Sequence, residues 1–245
     1  MATVSPAAIE KLTSSRMVSI PSGLVTSLRK LLASRTVFLS MARVLVLAFC
    51  LLAAALPARS AEPPVILVFG DSLSAGYGLA PGQGWVTLMQ QRLKNQGYGY
   101  RVVNASVSGE TTDGGVARVD RALATHRPAI MILELGGNDG LRGLPVSRVQ
   151  ANLGLLITKS RAAGAEVLLL SVSMPTNYGL QYASSYQKIY DELKSHYKVG
   201  VAALMDKQFA LDLANFQPDG IHPNAKAQPQ LLDNVWVQLQ PLLRH

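Results

Sequence analysis

Five short apolar runs recur between residues 61 and 245, and a longer amphipathic stretch follows each. The runs are Val65 to Phe69, Tyr100 to Asn104, Ile130 to Leu135, Glu166 to Ser171 and Val199 to Leu204, bounded by Gly, Pro, Asn or Asp. The stretches between them carry helical spacing over Trp85 to Gln96, Thr112 to Thr125, Val146 to Ala163, Ala183 to Tyr197 and Ala225 to Leu243. Gly97 and Gly164 punctuate helix ends, Pro145 opens a helix, and Pro229 delays or kinks the last one. This repeated βα order predicts an α/β fold, one five-stranded parallel sheet covered by helices on both faces. In such a sheet all strands point one way, so the turns after them open on one edge.

The first sixty residues differ from the rest. From Met41 the sequence runs Ala42, Arg43, an apolar stretch Val44 to Leu56, then Pro57-Ala58-Arg59-Ser60-Ala61. That is the order of a secretory signal, and the apolar stretch is too short to span a bilayer. The expected organisation is residues 1–40 as an unstructured over-extension ahead of the true start at Met41, 41–60 as a cleaved signal, and 61–245 as one domain. Export to the periplasm or medium, without a lasting membrane anchor, follows from that reading.

The whole chain has a formal charge of +8, but residues 1–60 hold seven Lys or Arg and one acid. That leaves 16 basic against 14 acidic residues over 61–245, with no basic stripe interleaved with aromatics, so nucleic acid is not an expected partner. The lone cysteine, Cys50, falls in the signal, which removes thiol and disulfide chemistry from the mature chain. A balance of +2 leaves the oligomeric state open.

Three Gly-rich turns follow a strand directly: Gly70-Asp71-Ser72, Ser106-Val107-Ser108-Gly109 and Gly136-Gly137-Asn138-Asp139. After the fifth run comes Asp219-Gly220-Ile221-His222-Pro223, an acid three residues before a histidine. Acyl transfer needs an activated hydroxyl, a base, a group that fixes the imidazole tautomer, and donors for the developing oxyanion. Ser72 fits as nucleophile, His222 as base and acid, Asp219 as orienting carboxylate. The N–H groups of Ser72 and Gly109 and the Asn138 amide fit the oxyanion hole. Taken alone, Ser72 is a helix cap and Asp219-Gly220 a turn. Asp71 and Asp139 read as acids that hold loops through local backbone bonds. His126, His196 and His245 receive no role.

These blocks, with Gly70-Asp71-Ser72-Leu73 first, resemble in order and over the whole of 61–245 the four blocks of the SGNH, or GDSL, hydrolases. The strings Ser74-Ala75-Gly76-Tyr77, Asn104-Ala105-Ser106 and Pro175-Thr176-Asn177-Tyr178-Gly179 resemble the periplasmic acyl-CoA thioesterase, lysophospholipase and arylesterase branch. The resemblance implies a flavodoxin-like three-layer sandwich, the roles given above, small-molecule acyl ester or thioester substrates, and no metal or organic cofactor. It also implies a mobile loop over Gly140 to Pro145. Leu73, Leu141, Leu144, Met174 and Leu180, with Asn177 and Tyr178, are candidates for the acyl site. Two other classes compete: a metal-assisted phosphoesterase using Asp71, Asp139, Asp219 and His222, and a non-catalytic lipid or glycan carrier.

Overall fold

A computed structural model describes residues 22–31, 33, 62–174 and 176–244. The chain divides into two units, Met1–Ala61 and Glu62–His245. In the first, residues 22–31 are helical and exposed, within the stretch 1–40 expected to be unstructured. Leu24, Leu28 and Leu31 recur at helical spacing, and the hydroxyls of Thr26 and Ser27 bond back four residues, to Ser22 O and Gly23 O. The proposed signal, 41–60, lies outside the described residues. Among those described, no helix is long and apolar enough to cross a membrane.

In the second unit the five strands are β1 (Val65–Gly70), β2 (Arg101–Asn104), β3 (Ile130–Glu134), β4 (Glu166–Ser171) and β5 (Gly200–Ala203). They pair in parallel in the order β2-β1-β3-β4-β5, the flavodoxin-like order. Strand residues alternate between two cores. Val65, Leu67 and Phe69 face one way with Met131, Leu133 and Leu169, while Ile66 and Val68 face the other with Ile132, Leu168 and Leu170. Both faces are covered, so β1, β3 and β4 are near-continuous apolar runs rather than alternating ones.

The first face is closed by α3 (Thr112–His126), α5 (Val146–Ala162) and α6 (Leu180–Tyr197). Val149, Leu153, Leu156 and Ile157 form the buried stripe of α5, three and four residues apart. The second face is closed by α2 (Trp85–Asn95) and α8 (Gln228–Leu239), with Phe209 of the short α7 (Lys207–Leu211). Pro229 stands in the first turn of α8, where its missing N–H costs nothing; residues 225–227 form a 3-10 turn, so the α-helix begins at Gln228, three residues later than its apolar spacing suggests. Three short helices of this unit escaped the sequence reading, α1 (Ser72–Ala75), α4 (Gly137–Leu141) and α7, because four or five residues carry no periodicity.

β1 and β3 are neighbours whose connections leave in opposite directions, which makes the gap between their C-terminal ends the topological switch point. Leu169, wholly buried at the centre of β4, tests the core that holds this edge in place. Leu169→Ala is expected to cost about 3 kcal/mol, read as a lower urea midpoint with an unchanged slope.

Candidate active site

Asp71 caps α1, its Oδ1 accepting Leu73 N–H at 3.0 Å, so Ser72 occupies the first helical position rather than the cap. The Ser72 N–H, as one of the first donors of that helix, has no intrahelical acceptor. Gly70 is required just before it, because a Cβ there would sit 2.6 Å from Glu134 Oε2.

The second turn leaves β2 and bonds back to β1 through Val107 N–H to Gly70 O at 3.0 Å. Gly109 adopts φ +79, a conformation that L side chains rarely hold. Arg118 grips this turn, bonding to Glu110 and to Ala105 O while lying over the Phe69 ring. The third turn follows β3. Asn138 Nδ2 donates to Asp71 Oδ2 at 2.9 Å and to Glu110 O at 3.0 Å, tying three turns together. Asp139 is buried and takes both the N–H and the O–H of Thr112, so it joins α4 to α3 rather than bonding its own neighbours.

The histidine turn is a small hairpin. Gln217 N–H bonds His222 O at 2.8 Å, Gly220 turns at φ +69, and the Gln217 side chain reaches Tyr77 O. Asn224 and Gln228 bind its flanks: Asn224 Nδ2 donates to Phe216 O, and Gln228 Nε2 to Pro223 O. The result is a relay. His222 Nε2 lies 2.9 Å from Ser72 Oγ, and Nδ1 lies 2.8 Å from Asp219 Oδ2. The Tyr77 ring, missed in the sequence, packs on the imidazole with centroids 4.5 Å apart.

Asp219 is held ionised chiefly by the backbone N–H groups of His222 and Ile221, and next by the imidazole, which together lower it to about 2. An ionised acceptor fixes the proton on Nδ1 and leaves Nε2 free to accept from Ser72. Behind the nucleophile, burial pushes the carboxyls of Asp71 and Glu134 upward, Glu134 further because it is wholly enclosed and faces the Asp71 charge.

A cavity of about 370 Å³ opens on Ser72 and His222. Leu73, Leu141 and Met174 line it as expected, and Asn138 and Asp71 form part of its wall. Gly109 lies off the lining, its carbonyl held by Arg142 at 3.0 Å. Leu144, Asn177, Tyr178 and Leu180 also lie off it: Leu144 O accepts the Tyr182 hydroxyl at 3.2 Å, and the other three are exposed. The Tyr182 hydroxyl lies 3.3 Å from Gly140 O and 3.2 Å from Leu144 O, within hydrogen-bonding distance of both ends of the segment expected to close over substrate. Residues missed in the lining, Ser171 to Ser173 after β4 and Leu204 and Met205 after β5, follow from the rule that located the first three turns. Phe216 and Ile221 come from the histidine hairpin. Asp71 and Asp139 being committed as above, no group of three or more His, Cys, Asp or Glu that could hold a metal occurs among the described residues.

Residues 68–228 match the model of the GDSL-like Lipase/Acylhydrolase family. The chain belongs to this family. It is 46% identical over 201 residues to esterase TesA of Pseudomonas aeruginosa, which spans 82% of this chain and 100% of that protein. It is 38% identical over 187 residues to thioesterase 1/protease 1/lysophospholipase L1 of Escherichia coli, 76% of this chain and 88% of that one. The crystal structure of TesA superposes with a TM-score of 0.71 at 47% identity, over 73% of this chain and 99% of its own. This GDSL chain is therefore an SGNH-type hydrolase with the family's α/β fold.

Because the folded value of Asp219 is depressed, its contribution to stability is in full force above the unfolded value near 3.8 and fades as pH falls through about 2. In NMR, the Asp219 carboxyl carbon is accordingly expected to move to its protonated shift only well below pH 4; a full carboxylate-to-acid change of shift between about pH 4 and pH 8 would contradict the assigned hydrogen bonds.

Proposed function

We propose that this protein is an exported serine esterase and acyl thioesterase that works through an acyl-enzyme on Ser72. The observation that carries the reading is the 2.9 Å approach of His222 Nε2 to Ser72 Oγ, with Asp219 behind the ring. His222 takes the Ser72 proton as Oγ attacks the acyl carbon, and returns it to the departing alcohol or thiol. Water then enters, gives its proton to the same nitrogen and releases the acid. A formed relay speaks against the carrier alternative, and the spent carboxylates of Asp71 and Asp139 against metal-assisted phosphoester cleavage.

The oxyanion is received by the N–H groups of Ser72 and Gly109 and by the Asn138 amide. Both Asn138 hydrogens are engaged at rest, one on Asp71 and one on Glu110 O. Donation therefore keeps the Asp71 bond and turns the second hydrogen from Glu110 O to the oxyanion. The cavity, near the lower end of the roughly 300–1,000 Å³ usual for small-molecule sites, suits a single acyl chain or an aryl ester. Export rests on the Arg43, Val44–Leu56 and Ala58-Arg59-Ser60 sequence of charge, apolar run and small residues.

Ser72→Ala is expected to lower turnover of a short-chain aryl ester on the order of 10³-fold or more, and to abolish fluorophosphonate labelling of the peptide bearing residue 72. Activity within tenfold of the parent would remove Ser72 as nucleophile. Asn138→Ala should lower kcat by about 10²–10³-fold with little change in KM, as loss of an oxyanion donor does.

A further inference from the structure

One acid at this site is not used by the triad. Glu134 ends β3, is wholly enclosed, and carries a titratable group directly beneath the nucleophile turn. Its Oε2 accepts Asp71 N–H at 3.2 Å and the Ser74 hydroxyl at 2.8 Å. Its Oε1 is buried with no partner. The carboxyls of Asp71 and Glu134 are hydrogen-bonding neighbours. Two ionised carboxylates in contact in a dry interior repel, and one proton between them turns the repulsion into a strong bond.

We propose that Glu134 is a positioning residue of the reaction: its neutral acid, protonated on Oε1, donates to the Asp71 carboxylate and through it fixes the Asn138 amide. The inference rests on the esterase reading above, whose oxyanion hole it completes. Asp71 is the right partner to keep the charge. Its oxygens already receive Leu73 N–H and the Asn138 amide, both of which favour an ionised acceptor, and the imidazole of His222 lies on its open side. Glu134 has only two donors, both on one oxygen, so the proton completes its set.

The groups facing the pair are Ser74 from α1, Asn138 from α4, His222 from the hairpin and Tyr190 from α6. Tyr190 Oη is likewise buried without a partner, and burial raises its own proton affinity. A rival arrangement follows: an ionised Glu134 whose free oxygen is served from the tyrosine side. That arrangement places two negative charges in contact and leaves Asp71 without its third donor.

The two arrangements differ in one proton, which infrared spectroscopy reads directly. At about pH 8 ordinary carboxyls are ionised, so a carboxylic-acid carbonyl band marks a shifted group. The expected result is a band in the wild-type protein that is absent from Glu134→Gln and kept in Asp219→Asn. Gln can donate to Asp71 through Nε2 and accept from Ser74 through Oε1, so this variant should keep kcat within about threefold. Glu134→Ala should lower kcat on the order of 10²-fold while KM moves less than about threefold, the mark of a lost interaction made in the transition state. No band in the wild type, a band that survives Glu134→Gln and vanishes in Asp71→Asn, or full kcat in Glu134→Ala each overturns the proposal. If Glu134→Ala does not fold, the infrared band and the Gln variant decide alone. A wild-type protein that shows the band but hydrolyses no ester sinks the esterase reading and the positioning role with it. Ester turnover without the band sinks only the Glu134 assignment.

Discussion

The pairing of β1 with β3 sets Gly70 opposite Glu134, and the site depends on that register. A parallel sheet brings strand ends together but does not say which residues meet. Here the last residues of the two central strands touch, and glycine at 70 is the residue whose missing side chain lets the Glu134 carboxyl lie against the chain. A one-residue slip would turn Glu134 to the opposite face and put a side chain where its oxygens now sit. From that contact outward the geometry is built by short steps: Asp71 caps α1, α1 presents Ser72, and Asn138 reaches back to Asp71 from the neighbouring strand.

The histidine side is held differently. No strand carries Asp219 or His222; a hairpin does, and its position comes from side-chain amides that span the chain. Gln217 bonds Tyr77 O just beyond α1, and Gln228 accepts the first N–H of α2, at Trp85, while donating to the hairpin at Pro223. Gln228 is buried, so its own two bonds are made away from water and are costly to leave unmade. The nucleophile is thus fixed by backbone register and the base by a polar network. The second kind of support is the softer of the two, since loop polar bonds yield more readily than sheet ladders.

Much of this was legible in the sequence because the relevant signals are local or topological. The five apolar runs gave the strands to within a residue or two, and the parallel order placed the turns on one edge, so Ser72, Asn138, Asp219 and His222 could be read as converging. What was not legible depends on contacts with no local trace. Glu134 sits in an apolar run and looked like a strand residue; only the register shows its carboxyl facing Asp71. Tyr77, Tyr182 and Gln228 act across more than thirty residues and have no periodicity to betray them. The acyl-site candidates failed selectively. Leu144, Asn177 and Tyr178 are near the cleft in sequence order, whereas the residues that line it beyond β4 and β5 follow from the strand-end rule alone.

Asp219 and the Asp71–Glu134 pair are set apart by environment rather than by residue type. Asp219 is partly exposed and receives two backbone N–H groups, conditions that favour charge and need no low dielectric. It can therefore stay ionised through the catalytic cycle, accepting from His222 whether the ring is neutral or charged. The inner pair is enclosed, where a second charge would be expensive and a shared proton is cheap. In the proposed mechanism an ionised Asp71 also interacts electrostatically with the His222 ring, so an imidazolium formed during acyl transfer has one bonded anion, Asp219, and a second at a distance. The oxyanion needs the opposite, and the Asn138 amide stands between it and Asp71. In the proposed mechanism the carboxamide carries the polarity reversal, drawing its orientation from the Asp71 carboxylate while presenting hydrogen to the developing charge.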